Sequence, residues 1–302
     1  MTAPEDTGPL GPELLRCHRE NFTGLLHVDG TPGGSLCLRD GRVIAAATPA
    51  APGPEVLLLR SGRVTEQEWT SAYDSALPSG RLAAELAERG VLGAAGVEAL
   101  CLLAIADATF ALAAHGVRAV LREPARPDTL PPPLPLLPGM DPARLLRETS
   151  RRVRALAGWA DLGVTVRVRP RPATTVRTHR IAPDRIQRVI VGAVNGRRTP
   201  RDIAFAAGRG LYVVMREIAR LTEEGVLEPG APLGGASASD GAETEGPGGL
   251  PRRRRGASMI NEMLPRPRVG GPLKLRRLRA LPPLQPSVGS EEENGEKKEG
   301  GE

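Results

Sequence analysis

Apolar and polar residues alternate with a period of two near the start of the chain. Phe22-Thr23-Gly24-Leu25-Leu26-His27-Val28-Asp29 reads as a half-buried strand. Ser35 to Arg39 reads as a second strand, and Arg42-Val43-Ile44-Ala45-Ala46 as a third. Asp40-Gly41 stands between the last two. Both residues of such a turn must accept positive φ, so this dipeptide predicts a tight hairpin. The period then becomes helical. A short helix is expected around Pro12 to Glu20, before the strands, while Val56 to Leu59 suits either a helix or a short strand. Thr65 followed by Glu68 forms a capping-box pattern ahead of Trp69, Tyr73, Ala76 and Leu77. Leu82, Leu86 and Ala87 repeat at helical spacing up to Gly90. Ala95 to Ala114 predicts a long Ala/Leu-rich helix, and Val117 to Leu121 a returning strand.

Residues 123–142 are rich in proline, which predicts a stiff connection rather than a regular element; spacer is the expected role. Asp141-Pro142 supplies a cap and a proline at the first helical position. The helix that follows has Leu145, Leu146, Val153, Leu156 and Trp159 on its apolar side, and Arg144, Arg147, Arg151, Arg152 and Arg154 make it basic. Val164, Val166 and Val168 alternate with polar residues as in a strand.

Ile181 to Pro229 predicts three short helices joined by tight turns. Pro183-Asp184 opens the first, with Ile186, Val189, Ile190 and Val194 on one side. Asn195-Gly196 closes it, and Thr199-Pro200-x-Asp202 opens the second. Gly208-Arg209-Gly210 is a sharp turn. Leu211, Val214, Ile218 and Leu221 then form one stripe at spacings of 3, 4 and 3. Gly225-Val226-Leu227 follows at once, the order of a winged helix-turn-helix. In a DNA-binding module of that kind the third helix enters the major groove. Its early residues here are Arg209, Tyr212, Val213 and Arg216, read as exposed, while Arg197, Arg198, Arg201 and Arg220 are candidate phosphate contacts. That third helix is poor in base-reading polar groups, and the wing is short.

The motif Phe22-x-Gly24-x-Leu26, then Leu36-x-Leu38-x-Asp40-Gly41-Arg42-Val43-x-x-Ala46, resembles the bacterial PATAN-type domain. The helical stretch through Leu82-x-x-x-Leu86-x-x-x-Gly90-Val91-Leu92 is similar to the helical insertion of such domains, and the resemblance covers roughly residues 20–160. It implies protein–protein or signal-linked roles and brings no catalytic residue with it. The segment 181–229 resembles the winged-helix regulators in its pattern Gly196-x-Arg198-Thr199-x-x-Asp202-Ile203-Ala204.

Charge is unevenly spread along the 302 residues. Residues 1–123 carry net −5, residues 124–179 net +6, residues 180–230 net +3 and residues 231–302 net +2. A basic middle suits an anionic partner. After Pro229 the chain turns to Gly, Ala, Ser and Pro, which predicts a disordered tail, with Arg252, Arg253, Arg254 and Arg255 its densest basic part and an acidic end. Cys17, Cys37 and Cys101 are far apart and odd in number, which supports neither a disulfide framework nor a zinc site. His18, His27, His115 and His179 are scattered, and no H-E-x-x-H or G-x-S-x-G occurs. The apolar run Val97 to Ala114 contains Glu98 and Asp107, which suits a core helix better than a membrane span, with Asp107 partnered in that core.

These observations predict an α+β chain in three parts: a PATAN-like module over residues 12–160, a winged-helix-like module over 161–230, and a disordered tail over 231–302. The expected role is a cytoplasmic, non-enzymatic regulator without cofactor, metal or membrane attachment. It binds double-stranded DNA through the winged helix and basic flanks, with a protein partner for the N-terminal module. The alternative is a signalling adaptor that uses both modules for protein–protein contacts.

Overall fold

The computed structural model describes residues 5–76, 81–126, 132–174 and 184–230. Leu77, residues 181–183, His179 and the whole tail with Arg252, Arg253, Arg254 and Arg255 lie outside the described residues.

The architecture is α+β. Helix α1 (Leu10–Arg19) buries Leu10, Leu14 and Cys17, spaced 4 and 3 apart so that they share one face. Three strands follow: β1 (Gly24–Gly30), β2 (Gly34–Arg39) and β3 (Arg42–Ala47). The β2–β3 turn forms as the sequence predicts, with Asp40 at φ 49° and Gly41 at φ 69°, and Arg39 opposite Arg42. A helical section comes next: α2 (Pro54–Arg60), α3 (Glu66–Ala76), α4 (Leu82–Glu88) and α5 (Ala94–His115). Thr65 and Glu68 close the expected capping box on α3, with the Glu68 amide donating to Thr65 Oγ1 at 3.2 Å and the Thr65 amide to Glu68 Oε2 at 2.8 Å. Strand β4 (Val117–Pro124) returns beside β1, giving an antiparallel sheet in the order β3-β2-β1-β4.

One face of the sheet is sealed. Leu26, Val28, Leu36 and Leu38 pack with α1, α5 and the start of α6 (Pro142–Trp159) in a single apolar cluster. At its edge Arg122, opposite Leu26, pairs with Glu13 and Glu20 of the α1 region and lies 5.6 Å from the Phe22 ring centre. The other face carries Leu25, His27 and Cys37. Helix α5 is long and apolar enough to cross a bilayer by length and composition alone, but 61% of that window is buried within the protein.

The Pro-rich segment departs from the expected spacer. Leu134, Leu136 and Met140 are buried, the Leu136 amide donates to Ile44 O at 2.8 Å, and Val43 and Met140 exchange two backbone hydrogen bonds. Residues 132–140 therefore strap the edge of β3. Proline excluded a regular element, but it left single amides free to bond where the ring was absent. Residues 164–168 are also not a strand. Val164 and Val168 are both buried in turns, and the short strand β5 lies later, at Arg171–Pro172. Alternation arose because a turn can also return every second or fourth side chain to the core.

The last elements are α7 (Arg185–Ala193), α8 (Pro200–Ala207), α9 (Leu211–Glu223) and β6 (Leu227–Glu228), which pairs with β5. Their cluster contains Ile190, Ile203, Leu211, Val214, Met215, Ile218 and Leu221, together with Phe110 and Ala111 of α5 and Ala50 and Ala51 of the loop after β3. Helix α5 thus serves both cores, Val97 to Ala108 in the first and Phe110 in the second. On α7, Gln187, Ile190 and Ala193 face inward, while Val189, expected inside, is 39% exposed.

Candidate nucleic-acid interface

Local sequence fixes the three-helix segment tightly. Asp184 and Gln187 form a capping box on α7, and Thr199 and Asp202 form one on α8 with Pro200 at its first position. Between them the Asn195 side chain accepts from the amides of Arg197 and Arg198, both at 3.0 Å. Replacing Thr199 by alanine removes one of these caps, so a loss of about 1 kcal/mol in urea unfolding is expected. Gly208 ends α8 at φ 59°, and a Cβ there would stand 2.5 Å from Arg60 Cβ. Gly208→Ala should therefore lower the thermal midpoint through both backbone strain and a clash, whereas Gly192→Ala, at a site with open space, should not.

The turn at residues 195–198 is pinned to a distant stretch. The Gly196 amide donates to Pro170 O at 3.0 Å. That bond brings Arg171 against the turn, its Cβ 3.6 Å from where a Cβ on Gly196 would stand, while Arg167 and Arg201 both act on His115, and Arg169 and Arg201 both act on Asp202. Arg198 donates to Ala193 O at 3.1 Å, and Arg171 pairs with Glu228. Arg201 donates to Pro49 O, lies 5.3 Å from the Phe205 ring centre and approaches Asp202 at 3.6 Å. Arg167, Arg169 and Arg197 make no ion pair among the described residues, and Arg169 Nε is buried without a hydrogen-bond partner. The field of these cations is felt nearby. His115 is pushed down by burial, with the Arg167 and Arg201 charges adding to it against a bond to Ala111 O. Burial raises Asp202, but Thr199 hydrogen bonds with Arg201 and Arg169 outweigh it and hold the carboxyl low.

Helix α9 forms where the sequence placed it, but part of the face expected to be exposed is turned toward the core. Tyr212, expected on an exposed reading face, is 8% exposed. Its ring meets Phe110 edge-on at 5.4 Å and Trp159 at 5.7 Å, and the Arg152 guanidinium lies 4.8 Å from its centre. Beside it Asp107 of α5 is 1% exposed and pairs with Arg152 Nη1 at 2.7 Å. Arg152 Nε donates to Glu148 at 2.7 Å. Burial pushes the Asp107 carboxyl up; Arg152 opposes this, as do the amides of Tyr212 and Leu211. A Cβ on Gly210 would stand 2.3 Å from Asp107 Oδ2, so only glycine lets α9 start this close.

The remaining candidates divide. Arg216 is exposed but pairs with the buried Glu217 at 3.0 Å, and Arg220 pairs with Glu224 at 3.0 Å. Arg209 is half-buried, with Nε unpartnered, and Val213 is half-buried. The apolar stripe read from sequence was real, but Tyr212, Met215, Glu217 and Ala219 are buried as well. A helix enclosed by α5, α6, α7 and α8 buries more than the stripe that one neighbour requires. The residues that sequence reasoning missed are Arg167, Arg169 and Arg171; the alternation of Arg167 and Arg169 with valines suggested a strand rather than a patch.

Glu148 gives this region a pH dependence. Arg151 and Arg152 hold its carboxyl down to about 2, with burial opposing them. A depressed carboxylate stabilises the fold fully above its unfolded value, near 4.5, and loses that contribution as pH falls toward 2. The stability gap between the wild type and Glu148→Gln should therefore be full at pH 6 and close progressively between pH 5 and 2 in urea titrations.

Among the described residues no group of three or more His, Cys, Asp or Glu is placed to hold a metal ion. Comparison with family models, with curated proteins and with solved structures found no match.

Proposed function

We propose that this chain is a non-enzymatic, cytoplasmic regulator that binds double-stranded DNA through the arginine patch around the 170–196 contact, not through the start of α9. The observation that carries this reading is the Gly196–Pro170 hydrogen bond, which joins the arginine-bearing stretches 167–171 and 197–201, where among the described residues the ion pairs are Arg171 with Glu228 and Arg201 with Asp202. Arginines of this kind grip phosphate oxygens and position a protein without reading sequence. The three helices keep the order of a winged helix-turn-helix, with α9 used as a core helix and the β5–β6 pair in place of a longer wing. Arg252 to Arg255 would add attraction from the tail. The PATAN-like N-terminal module is read as the part that takes a protein partner.

The test is a salt titration of duplex binding by fluorescence anisotropy, using two duplexes of unrelated sequence. Four to six phosphate contacts give a slope of log affinity against log salt of about −4 to −5. Similar affinity for both duplexes is expected. No binding at low salt sinks the proposal, and strong preference for one duplex would restore a base-reading helix.

The adaptor reading is favoured by one observation. Leu121 on β4 is 69% exposed on the sheet face that also carries Leu25 and Cys37. Retention of a protein partner by the full chain, lost in Leu121→Glu and unaffected by DNA, would support it.

A further inference from the structure

A cavity of about 740 Å³ is lined by Leu25, Cys37 and Ala45 of the sheet, Trp69 and Tyr73 of α3, and Ile105 of α5. Its volume falls in the usual range for small-molecule sites, roughly 300–1,000 Å³, and its walls are mainly apolar. The charges around it are arranged with polarity. At one end of the sheet the Ala125 amide donates to Thr23 O at 3.1 Å, which brings together the start of β1, the end of β4 and Arg39 at the end of β2. Thr23, Arg39 and Ala125 all line the cavity there. Arg39 is exposed and makes no ion pair among the described residues. Its charge reaches inward: burial raises the Cys37 thiol, and Arg39 opposes that rise. Glu55, on the first turn of α2, lines the cavity beyond the end of β3 at Ala47. An anion is therefore drawn to the Arg39 end and repelled from the Glu55 side.

A peptide strand fits this space poorly. The β3 edge is already bonded to the strap through Ile44 and Val43, so incoming amides find no ladder there. Burying them unpaired against apolar walls is costly. An occupant without amide donors, apolar along its length and anionic at one tip, meets the lining on all sides.

We propose that this cavity binds an unbranched aliphatic monocarboxylate, with its chain along Leu25, Ala45 and Trp69 and its carboxylate on Arg39. This does not rest on the DNA reading. Arg39 is a binding residue here, and Cys37 is the reporter. Cys17 and Cys101 are buried, with thiols pushed up to about 11, so N-ethylmaleimide should label Cys37 alone in the folded chain.

The experiment follows Cys37 alkylation in the full-length protein during titration with dodecanoate below its micelle concentration, with dodecanol as the uncharged comparison. Saturating dodecanoate should slow labelling at least about fivefold and raise the thermal midpoint, as any ligand of the native state does. Arg39→Ala should weaken dodecanoate about tenfold and leave dodecanol unchanged, the weight of one charge-assisted hydrogen bond. Ala45→Phe should remove protection by both. Arg39 is exposed, so its variant decides the question even if Ala45→Phe fails to fold. Unslowed labelling with dodecanoate overturns the proposal, as does equal dodecanoate affinity in Arg39→Ala. Protection that needs no ligand and grows with protein concentration would assign the cavity to a second copy of the chain.

Discussion

Asp107→Ala should destabilise the protein by about 3 kcal/mol in urea unfolding, the largest single-site loss expected here. The carboxylate is 1% exposed and its partner side chain, Arg152, is 11% exposed. Removing one member of a buried ion pair leaves the other without its compensation, and that penalty usually exceeds the value of the pair itself. Glu148 still accepts from Arg152, which holds the loss at the lower end of the range for broken buried pairs. The pair also sits where three helices meet. Asp107 belongs to α5, Arg152 to α6, and the start of α9 rests on both through Gly210 and Tyr212. Asp107→Asn, which keeps the shape and an acceptor oxygen, should lose less. The double change Asp107→Leu with Arg152→Met removes both charges and should recover most of the stability. A double variant no more stable than Asp107→Ala would show that packing, not the unpaired guanidinium, sets the loss.

Reversing three charges of the patch, Arg167→Glu with Arg197→Glu and Arg198→Glu, should weaken duplex binding about a hundredfold at low salt. The salt slope should also become shallower by about three phosphate contacts. Arg167 and Arg197 make no ion pair among the described residues, so their replacement breaks no intramolecular pair. Arg198 gives up one bond to Ala193 O, a small structural cost that urea unfolding will reveal. Arg216→Ala with Arg220→Ala serves as the comparison. Both of these arginines are held by neighbouring glutamates on or beside α9, and their loss should change affinity little. The reverse ranking would return the interface to α9.

Much of this fold was legible because its signals are local. The Asp40-Gly41 hairpin, the Thr65, Asp141, Asp184 and Thr199 caps, and the positive-φ glycine after α8 each depend on residues within four positions of one another. Their chemistry is the same whatever the rest of the chain does. The long helix α5 was legible for another reason, since a run so apolar has few alternatives to burial. Asp107 was recognisable as a charge in need of a partner, but Arg152 is 45 residues away on a helix whose five arginines look alike in sequence. Periodicity could rank none of them above the others.

The candidate site was legible in half. Arg197, Arg198 and Arg201 are marked by the turn and the cap that follow one another along the chain. Arg167, Arg169 and Arg171 join them through tertiary contacts, the Gly196–Pro170 hydrogen bond between residues 26 apart among them, together with the packing of Val164 and Val168 in the same core as Ile190 and Val194. The sequence alone determined the hairpin, the caps, the position of most helices and the excess of arginine in the middle of the chain. Tertiary structure decided which side of α9 faces the core, that the Pro-rich segment straps β3, and which arginines share a surface. The physical reason is range. Turn and cap energies are set within one or two turns of backbone. The burial of Tyr212 depends instead on Phe110, Trp159 and Arg152 arriving from two other helices, and its own neighbours in sequence carry no record of them.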